Sequence, residues 1–116
     1  MTSLQSRLKA IGETFAAVTP NTYHYWRPRL QAPFLVWAED GDNGFETDNH
    51  KAEQGITGKV DYYTQIEFDP VVDQVQEAME SMEMAWELTD ALYEEETNLI
   101  HYSWDWEVVR YGEDDH

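Results

Sequence analysis

Four histidines are the side chains of this sequence best suited to hold a metal ion or to move a proton near neutral pH. They are His24, His50, His101 and His116. None of them belongs to an HExxH motif or to another paired-ligand spacing. We therefore expect each to be a structural or surface residue, and we predict no metal site, no bound cofactor and no catalytic residue.

Ser103 follows His101 by two residues, which places both side chains on one face of a strand. A nucleophilic serine also needs a third group to orient its base, and the sequence identifies none. Carboxylates are too numerous for any pair to indicate acid–base catalysis. GxSxG, P-loop and GxGxxG motifs are absent from the sequence. A small metal-dependent enzyme is therefore the disfavoured alternative, and we expect a protein that is not an enzyme.

The turn-rich segment that begins at Asp40 has the acidic and glycine content of a calcium loop. Counted from Asp40, however, position 5 is Gly44, position 6 is Phe45, and position 12 is not glutamate. The EF-hand loop requires an oxygen ligand, glycine and glutamate at those positions. We interpret the segment as a solvated loop, and we expect residues 40–52 to be mobile in the free protein and ordered on assembly.

Charge restricts the classes of partner. The net charge is −17, and the chain contains no cysteine, so disulfides and thiolate metal sites are excluded. Residues 1–60 carry six basic and seven acidic side chains, whereas residues 61–116 carry seventeen acidic ones and Arg110 alone. This half lacks the basic patch that displaces counterions from DNA, and an anionic membrane would repel it. We expect no tight nucleic-acid binding and no membrane partner.

Hydrophobic periodicity predicts the elements that position these residues. An α+β fold in the order α-β-β-β-α-β-β is expected, with an antiparallel or mixed sheet and two helices packed on one face. A single domain over 1–110 would be followed by a disordered acidic tail, 111–116, and the segment 27–32 would join the first two strands as a hairpin. The predicted elements are a helix over 3–18, strands over 22–27, 33–38 and 56–64, a helix starting at Asp69-Pro70, and strands over 86–93 and 100–109.

The same periodicities predict one core. Its expected members are Leu8, Ile11, Phe15, Val36, Val60, Val75, Met79, Trp104 and Trp106.

Several segments, in this order, resemble the tail terminator (tail completion, or minor tail) proteins of long-tailed bacteriophages and prophages. The resemblance rests on the order, size and character of these segments and spans about Leu4 to Val109. The matching segments are Tyr25-Trp26-Arg27-Pro28, Pro33-Phe34-Leu35-Val36-Trp37-Ala38-Glu39, Lys59-Val60-Asp61-Tyr62-Tyr63-Thr64, Phe68-Asp69-Pro70, Tyr93-Glu94-Glu95-Glu96-Thr97 and Ile100-His101-Tyr102-Ser103-Trp104-Asp105-Trp106-Glu107-Val108.

This resemblance implies a subunit of a ring, typically a hexamer, at the head-proximal end of the tail tube. Such a ring stops tube growth and contacts the tail tube protein and the head–tail connector protein, in the bacterial cytoplasm during assembly and then in the virion tail. It implies no catalytic residue. Another head–tail joining protein, or an acidic DNA mimic that inhibits a host nucleic-acid enzyme, is the alternative.

A ring requires a contact between two different patches of neighbouring subunits. We expect basic residues of one subunit to meet acidic residues of the next, with apolar side chains supplying the affinity; the alternative is that the basic residues neutralise acids of their own subunit. The candidate contact residues are Arg27, Arg29 and Lys51 on the basic side, Glu77, Glu80, Glu94 and Glu95 on the acidic side, and Trp37 and Phe45 as apolar contacts.

Overall fold

Two helices and a five-stranded mixed sheet make up the described part of the chain, which comprises residues 3–29, 31–41 and 55–108 of the computed structural model. The α+β fold and the predicted order of elements are confirmed. The strands lie in the order β1-β2-β3-β5-β4, and all neighbours except β1 and β2 are antiparallel. The elements are α1 (Leu4–Val18), β1 (Thr22–His24), β2 (Phe34–Gly41), β3 (Ile56–Thr64), α2 (Pro70–Ser81), β4 (Met84–Glu94) and β5 (Leu99–Val108).

The predicted hairpin between the first two strands is wrong, because β1 and β2 pair in parallel, with Thr22 opposite Leu35. The strand predicted over 22–27 ends at His24, where Tyr25 takes a left-handed φ of 82°. The chain then leaves the sheet and returns to the level at which β1 began. It therefore enters β2 in the same direction as β1.

The strand predicted over 33–38 runs on to Gly41. Its added end is held to β3 by the Thr57 hydroxyl, which donates to Asp40 Oδ1 at 2.7 Å. The first two residues of the segment predicted to be mobile, 40–52, therefore belong to β2. The rest of that segment and the predicted tail, 111–116, lie outside the described residues.

Both helices pack on one face of the sheet. Ser3 caps α1 by accepting a hydrogen bond from the Ser6 amide at 3.1 Å, a stabilising arrangement at a helix N-terminus. The core combines apolar residues of both helices with one face of β2, β3, β4 and β5. Its buried members are Leu8, Ile11, Phe15, Leu35, Trp37, Ile56, Val60, Tyr62, Val75, Ala78, Met79, Met84, Trp104 and Trp106.

Val36 is the one predicted core residue that this cluster does not include. It is half-buried on the opposite face of the sheet, where it packs against Phe34 and Tyr63. Trp37 occupies the core position that was predicted for Val36, because Trp37 lies opposite Val60 in the register of β2 and β3. Side chains alternate across a strand, so placing Trp37 under the helices turns Val36 away from them.

Two glycines allow core tryptophans to approach neighbouring backbone. A Cβ on Gly12 of α1 would lie 2.8 Å from Cζ2 of Trp37, and a Cβ on Gly58 of β3 would lie 2.3 Å from Cζ2 of Trp106. Both distances are shorter than van der Waals contact. The indole rings therefore occupy the volume that any other residue at these positions would fill.

A buried carboxylate joins the end of β3 to the start of α2. Asp69 caps α2 by accepting from the Val71 amide at 2.9 Å, and its other oxygen accepts from the hydroxyls of Tyr62 at 2.8 Å and Thr64 at 2.7 Å. Burial alone would raise the pKa of Asp69, but the hydrogen bonds from Thr64, from the Val71 amide and from Tyr62 together hold the pKa below its ordinary value.

Replacing Asp69 with alanine should lower the free energy of unfolding by about 3 kcal/mol or more. The lost cap contributes about 1 kcal/mol, and each of the two hydroxyls left unpaired costs about 1–3 kcal/mol. Urea unfolding measures the change, with exposed Asp73→Ala in the first turn of α2 as the control. Because folding lowers the pKa of Asp69, its contribution is present above the ordinary aspartate pKa and is lost as the pH falls through the lowered one. Equal effects of the two variants would contradict this account.

Trp104→Ala should lower the free energy of unfolding by about 3–5 kcal/mol. The indole is 0% exposed, and its Nε1 donates to Gln76 Oε1 at 3.0 Å. Trp26→Ala is the matched control, because Trp26 is 70% exposed and surface substitutions usually change stability by about 0.5 kcal/mol or less. Denaturant curves that show similar losses for both variants would rule out this packing.

Candidate functional site

The sheet face away from the helices carries a polar cluster across three strands. Asp61 Oδ1 on β3 lies 2.8 Å from Nε2 of His101 and accepts from the Ser103 hydroxyl at 2.6 Å; both partners are on β5. The other ring nitrogen of His101 lies 3.4 Å from Glu94 Oε2 on β4. The sequence places His101 and Ser103 on one face, but it does not identify Asp61, which is 40 residues from His101.

This geometry does not activate the Ser103 hydroxyl. In a nucleophilic triad the serine donates to the histidine, and the acid orients the histidine from its other side. Here Ser103 and His101 share one oxygen of Asp61, so the imidazole is not hydrogen-bonded to the serine oxygen. The cluster links β3, β5 and β4, and its geometry favours a structural role.

Two carboxylates stabilise the protonated form of His101. The hydrogen bond to Asp61 raises the pKa of His101 most, burial opposes the rise, and the charges of Asp61 and Glu94 add to it. The ring also stacks on Tyr63 at a centroid distance of 4.1 Å, and the Arg27 guanidinium lies 4.4 Å from the centre of the Tyr63 ring. His101 is therefore more readily charged in the folded protein than in the unfolded chain.

This cluster is not arranged to bind a metal ion. Asp61 and Glu94 bind opposite nitrogens of one imidazole ring, so their oxygens do not converge on a common point. In residues 3–29, 31–41 and 55–108, no three His, Asp or Glu side chains are grouped so as to hold a metal ion. Neither of the helices in these ranges has the length and apolar character of a membrane span.

The His101 cluster should make folding stability depend on pH. Because the pKa of His101 is raised on folding, its contribution is fully present below the pKa of an unfolded histidine, about 6.5. It is lost as the pH rises through the folded value. Urea unfolding from pH 5.5 to 8.5 should show a fall in stability that His101→Gln reduces. The control is His24→Gln, and an unchanged pH profile in His101→Gln would contradict the assignment.

Exposed aromatic and basic residues form a first surface beside β1, which we call the turn surface. It consists of Tyr25, Trp26, Arg27 and Arg29. Trp26 is 70% exposed and Tyr25 is 53% exposed. Arg27 lies over its own Phe34 and Tyr63 rings, whereas no ion pair is formed by exposed Arg29 within the described residues.

Side chains of the same subunit hold the turn surface in place. The Tyr25 ring stacks on His24 at 3.8 Å, and His24 stacks on Trp37 at 3.9 Å. Glu39 accepts a hydrogen bond from the Tyr25 hydroxyl and lies 2.8 Å from Nε2 of His24. These contacts maintain the left-handed backbone at Tyr25, after which Trp26 projects into solvent.

A second exposed surface, the groove surface, lies near the β4–β5 turn. It is an open groove of about 530 Å³ between the loop that precedes α2 and the ends of β4 and β5. Its lining is mostly apolar, and Ile66 and Leu88 are further exposed apolar residues nearby in the sequence. The lining residues are Glu67, Phe68, Ala91, Leu92, Tyr93, Ile100 and Tyr102.

Phe68 is the most exposed large apolar residue of the described chain, at 87%. Its φ of 60° lies in the left-handed region, where a bulky side chain is a genuine outlier. The next residue is the buried cap Asp69. The backbone therefore bears a strained conformation at a position where the phenyl ring gains little burial in the isolated subunit.

The structure separates several predicted contact residues. Trp37 is only 4% exposed and packs in the core, which corrects the expectation that it supplies an apolar contact between subunits. Glu77 and Glu80 are exposed on α2, whereas the Glu94 carboxylate faces His101 on the opposite side of the sheet. The three acids therefore do not form one flank.

Glu95 is exposed in the turn between β4 and β5. Phe45 and Lys51 lie outside the described residues. Sequence reasoning did not single out Trp26, Phe68 and Tyr93 as exposed aromatic residues. The sequence signal for their exposure is an aromatic residue just before a turn: Pro28 follows Trp26 by two residues, Pro70 follows Phe68 by two, and an acidic run follows Tyr93.

No protein-family model matches this chain, and no curated protein sequence is significantly similar to it.

Proposed function

We propose that the protein is a structural subunit that assembles head-to-tail into a ring, with the role of a phage or prophage tail terminator. The observation that supports this proposal is the presence of two chemically different exposed surfaces on one subunit. The turn surface adjoins β1 and is aromatic and basic, whereas the groove surface adjoins β4 and is apolar with acidic neighbours.

Two different surfaces suit a heterologous contact. Trp26 follows the edge strand β1, Arg27 packs over Tyr63 of the central strand β3, and the groove lies between the loop before α2 and the ends of β4 and β5. Two unlike patches of a subunit join copies head-to-tail, and they form a ring when the rotation between copies closes. One patch shared by two copies would instead give a closed dimer.

The resemblance to tail terminators supplies the biological setting of this ring. It would lie at the head-proximal end of the tail tube, where it would contact the tube protein and the connector. The acidity of the chain suits a lumen through which DNA passes, because carboxylates repel phosphates and leave the DNA mobile.

Native mass spectrometry and negative-stain imaging test the ring. A single closed oligomer, with six copies as the expected number, should form at micromolar concentration and show a central opening. Binding to both the tail tube protein and the connector protein encoded near its gene would distinguish a terminator from another head–tail joining protein. A monomer or a two-fold dimer at every concentration would overturn the proposal.

A DNA mimic is the second candidate, favoured by the acidic outer side of α2. Asp73, Glu77 and Glu80 are exposed at helical spacings of four and three, and α2 contains no basic residue. Like charges at these spacings destabilise a helix slightly, so a cationic partner would relieve a real cost. Inhibition of a restriction enzyme or nuclease by a monomer that forms no ring would favour this function.

A further inference from the structure

We infer that the turn surface of one copy docks into the groove surface of the next copy, with Trp26 as the inserted side chain. This inference rests on the proposed function, because it specifies the contact that builds the ring. It commits to a second copy of this chain as the occupant of the groove.

The two surfaces match in chemistry. The groove offers an apolar lining that includes Tyr93, Ile100 and Tyr102, in a volume of about 530 Å³, which is within the roughly 300–1,000 Å³ of ligand pockets. The turn offers Trp26, the most exposed tryptophan of the described chain. Tryptophan, tyrosine and arginine dominate the centres of protein interfaces, where each buries a large area at low entropic cost.

Their charges are also complementary. Glu67 lies in the groove lining, and exposed Glu95 and Glu96 follow directly on the strand that forms the groove. Residues 61–108 contain no lysine or arginine, so no such side chain of this stretch can neutralise them. Arg27 and Arg29 follow Trp26 in the chain and are exposed, and Arg27 also lies over Phe34 and Tyr63 of its own subunit.

Charge further determines which surfaces meet. Two groove surfaces facing each other would oppose carboxylates to carboxylates, and two turn surfaces would oppose guanidinium groups. Like charges that face each other across an interface weaken it and so suppress the wrong pairing. The pairing of turn with groove avoids both arrangements, and it repeats in one direction around a ring.

Two of the four non-glycine residues with left-handed backbone in the described chain lie on these surfaces. Tyr25 and Phe68 are exposed aromatic residues with φ values of 82° and 60°. Left-handed backbone is unfavourable for such residues and persists where the surroundings impose it. Contacts within the subunit hold each conformation, and they leave Trp26 and the Phe68 ring exposed to a neighbouring copy.

Disulfide trapping tests the contact directly, because the chain contains no cysteine. Arg29→Cys and Glu95→Cys place thiols at the rims of the two surfaces and leave Trp26 and the groove lining intact. Loss of one exposed ion pair changes affinity little, because water and salt screen the attraction between exposed charges. Mixing the two single variants under mild oxidation should give a covalent dimer in at least tenfold greater yield than mixing Arg29→Cys with the control Glu13→Cys.

The double variant Arg29→Cys/Glu95→Cys should give a ladder of covalent oligomers that ends at the ring. A ring without this crosslink above the control would overturn the inference and leave the proposed function standing. A ladder without a closed ring would support the inference and overturn the ring. Absence of both would overturn both, and equal crosslinking of either single variant with itself would overturn the head-to-tail contact.

Phe68→Gly separates docking from folding. Glycine tolerates the left-handed backbone and removes the exposed phenyl ring, so the melting temperature should stay equal or rise. The protein concentration at which half of the subunits are assembled into rings should rise at least tenfold. The control is Ile66→Gly, which removes an exposed apolar residue outside the groove lining. Unchanged assembly by Phe68→Gly would count against the groove as the docking site.

Discussion

The Asp69 carboxylate is the interaction on which the rest of the arrangement depends. It accepts the first free amide of α2 and two hydroxyls from the end of β3, so the helix axis and the strand end are fixed relative to each other. The inward orientation of Asp69 forces a sharp turn in the backbone just before it, where Phe68 takes its left-handed conformation. The same contact that closes the core therefore also sets one wall of the groove.

Coverage of the sheet by the helices is incomplete, and burial along β4 shows where it ends. Met84 at the start of β4 is buried beneath the helices, whereas Ala91, Leu92 and Tyr93 near its end are exposed. The β4–β5 hairpin thus extends past the helical layer. Its apolar residues there cannot be explained by the core of one subunit, and a contiguous exposed apolar patch of this kind is typical of an interaction surface.

Sequence periodicity predicted most of the core, because both helices and β5 alternate clearly between apolar and polar residues. It failed in β2, where four consecutive residues are apolar, so the sequence does not show which of them face the helices. These residues are Phe34, Leu35, Val36 and Trp37. Only pairing with β3 decides that Trp37 faces the helices. The parallel pairing of β1 with β2 could not be predicted from the sequence either. It depends on a left-handed backbone at Tyr25, and tyrosine rarely adopts a left-handed φ.

The candidate surfaces were predictable only in part, for a related reason. Acidic and basic residues can be counted along the chain, and their separation between the two halves singled out Arg27 and Arg29, whose part in a contact stays a prediction. Whether an aromatic side chain is buried depends on which helices or strands pack over it in the folded chain. Trp37 and Trp26 each follow a strand-forming residue, Val36 and Tyr25, yet Trp37 is in the core and Trp26 is exposed to solvent.

A subunit with a net charge of −17 opposes its own assembly, and this limits which contact can succeed. Repulsion between whole subunits extends over a screening length of about 30 Å at low salt (about 0.01 M) and is reduced at physiological ionic strength, where that length is about 8 Å. An apolar contact buried between two copies is not screened in this way. An inserted aromatic residue would therefore supply the attraction, while the arginines beside it would remove the local repulsion that the acidic rim of the groove otherwise imposes.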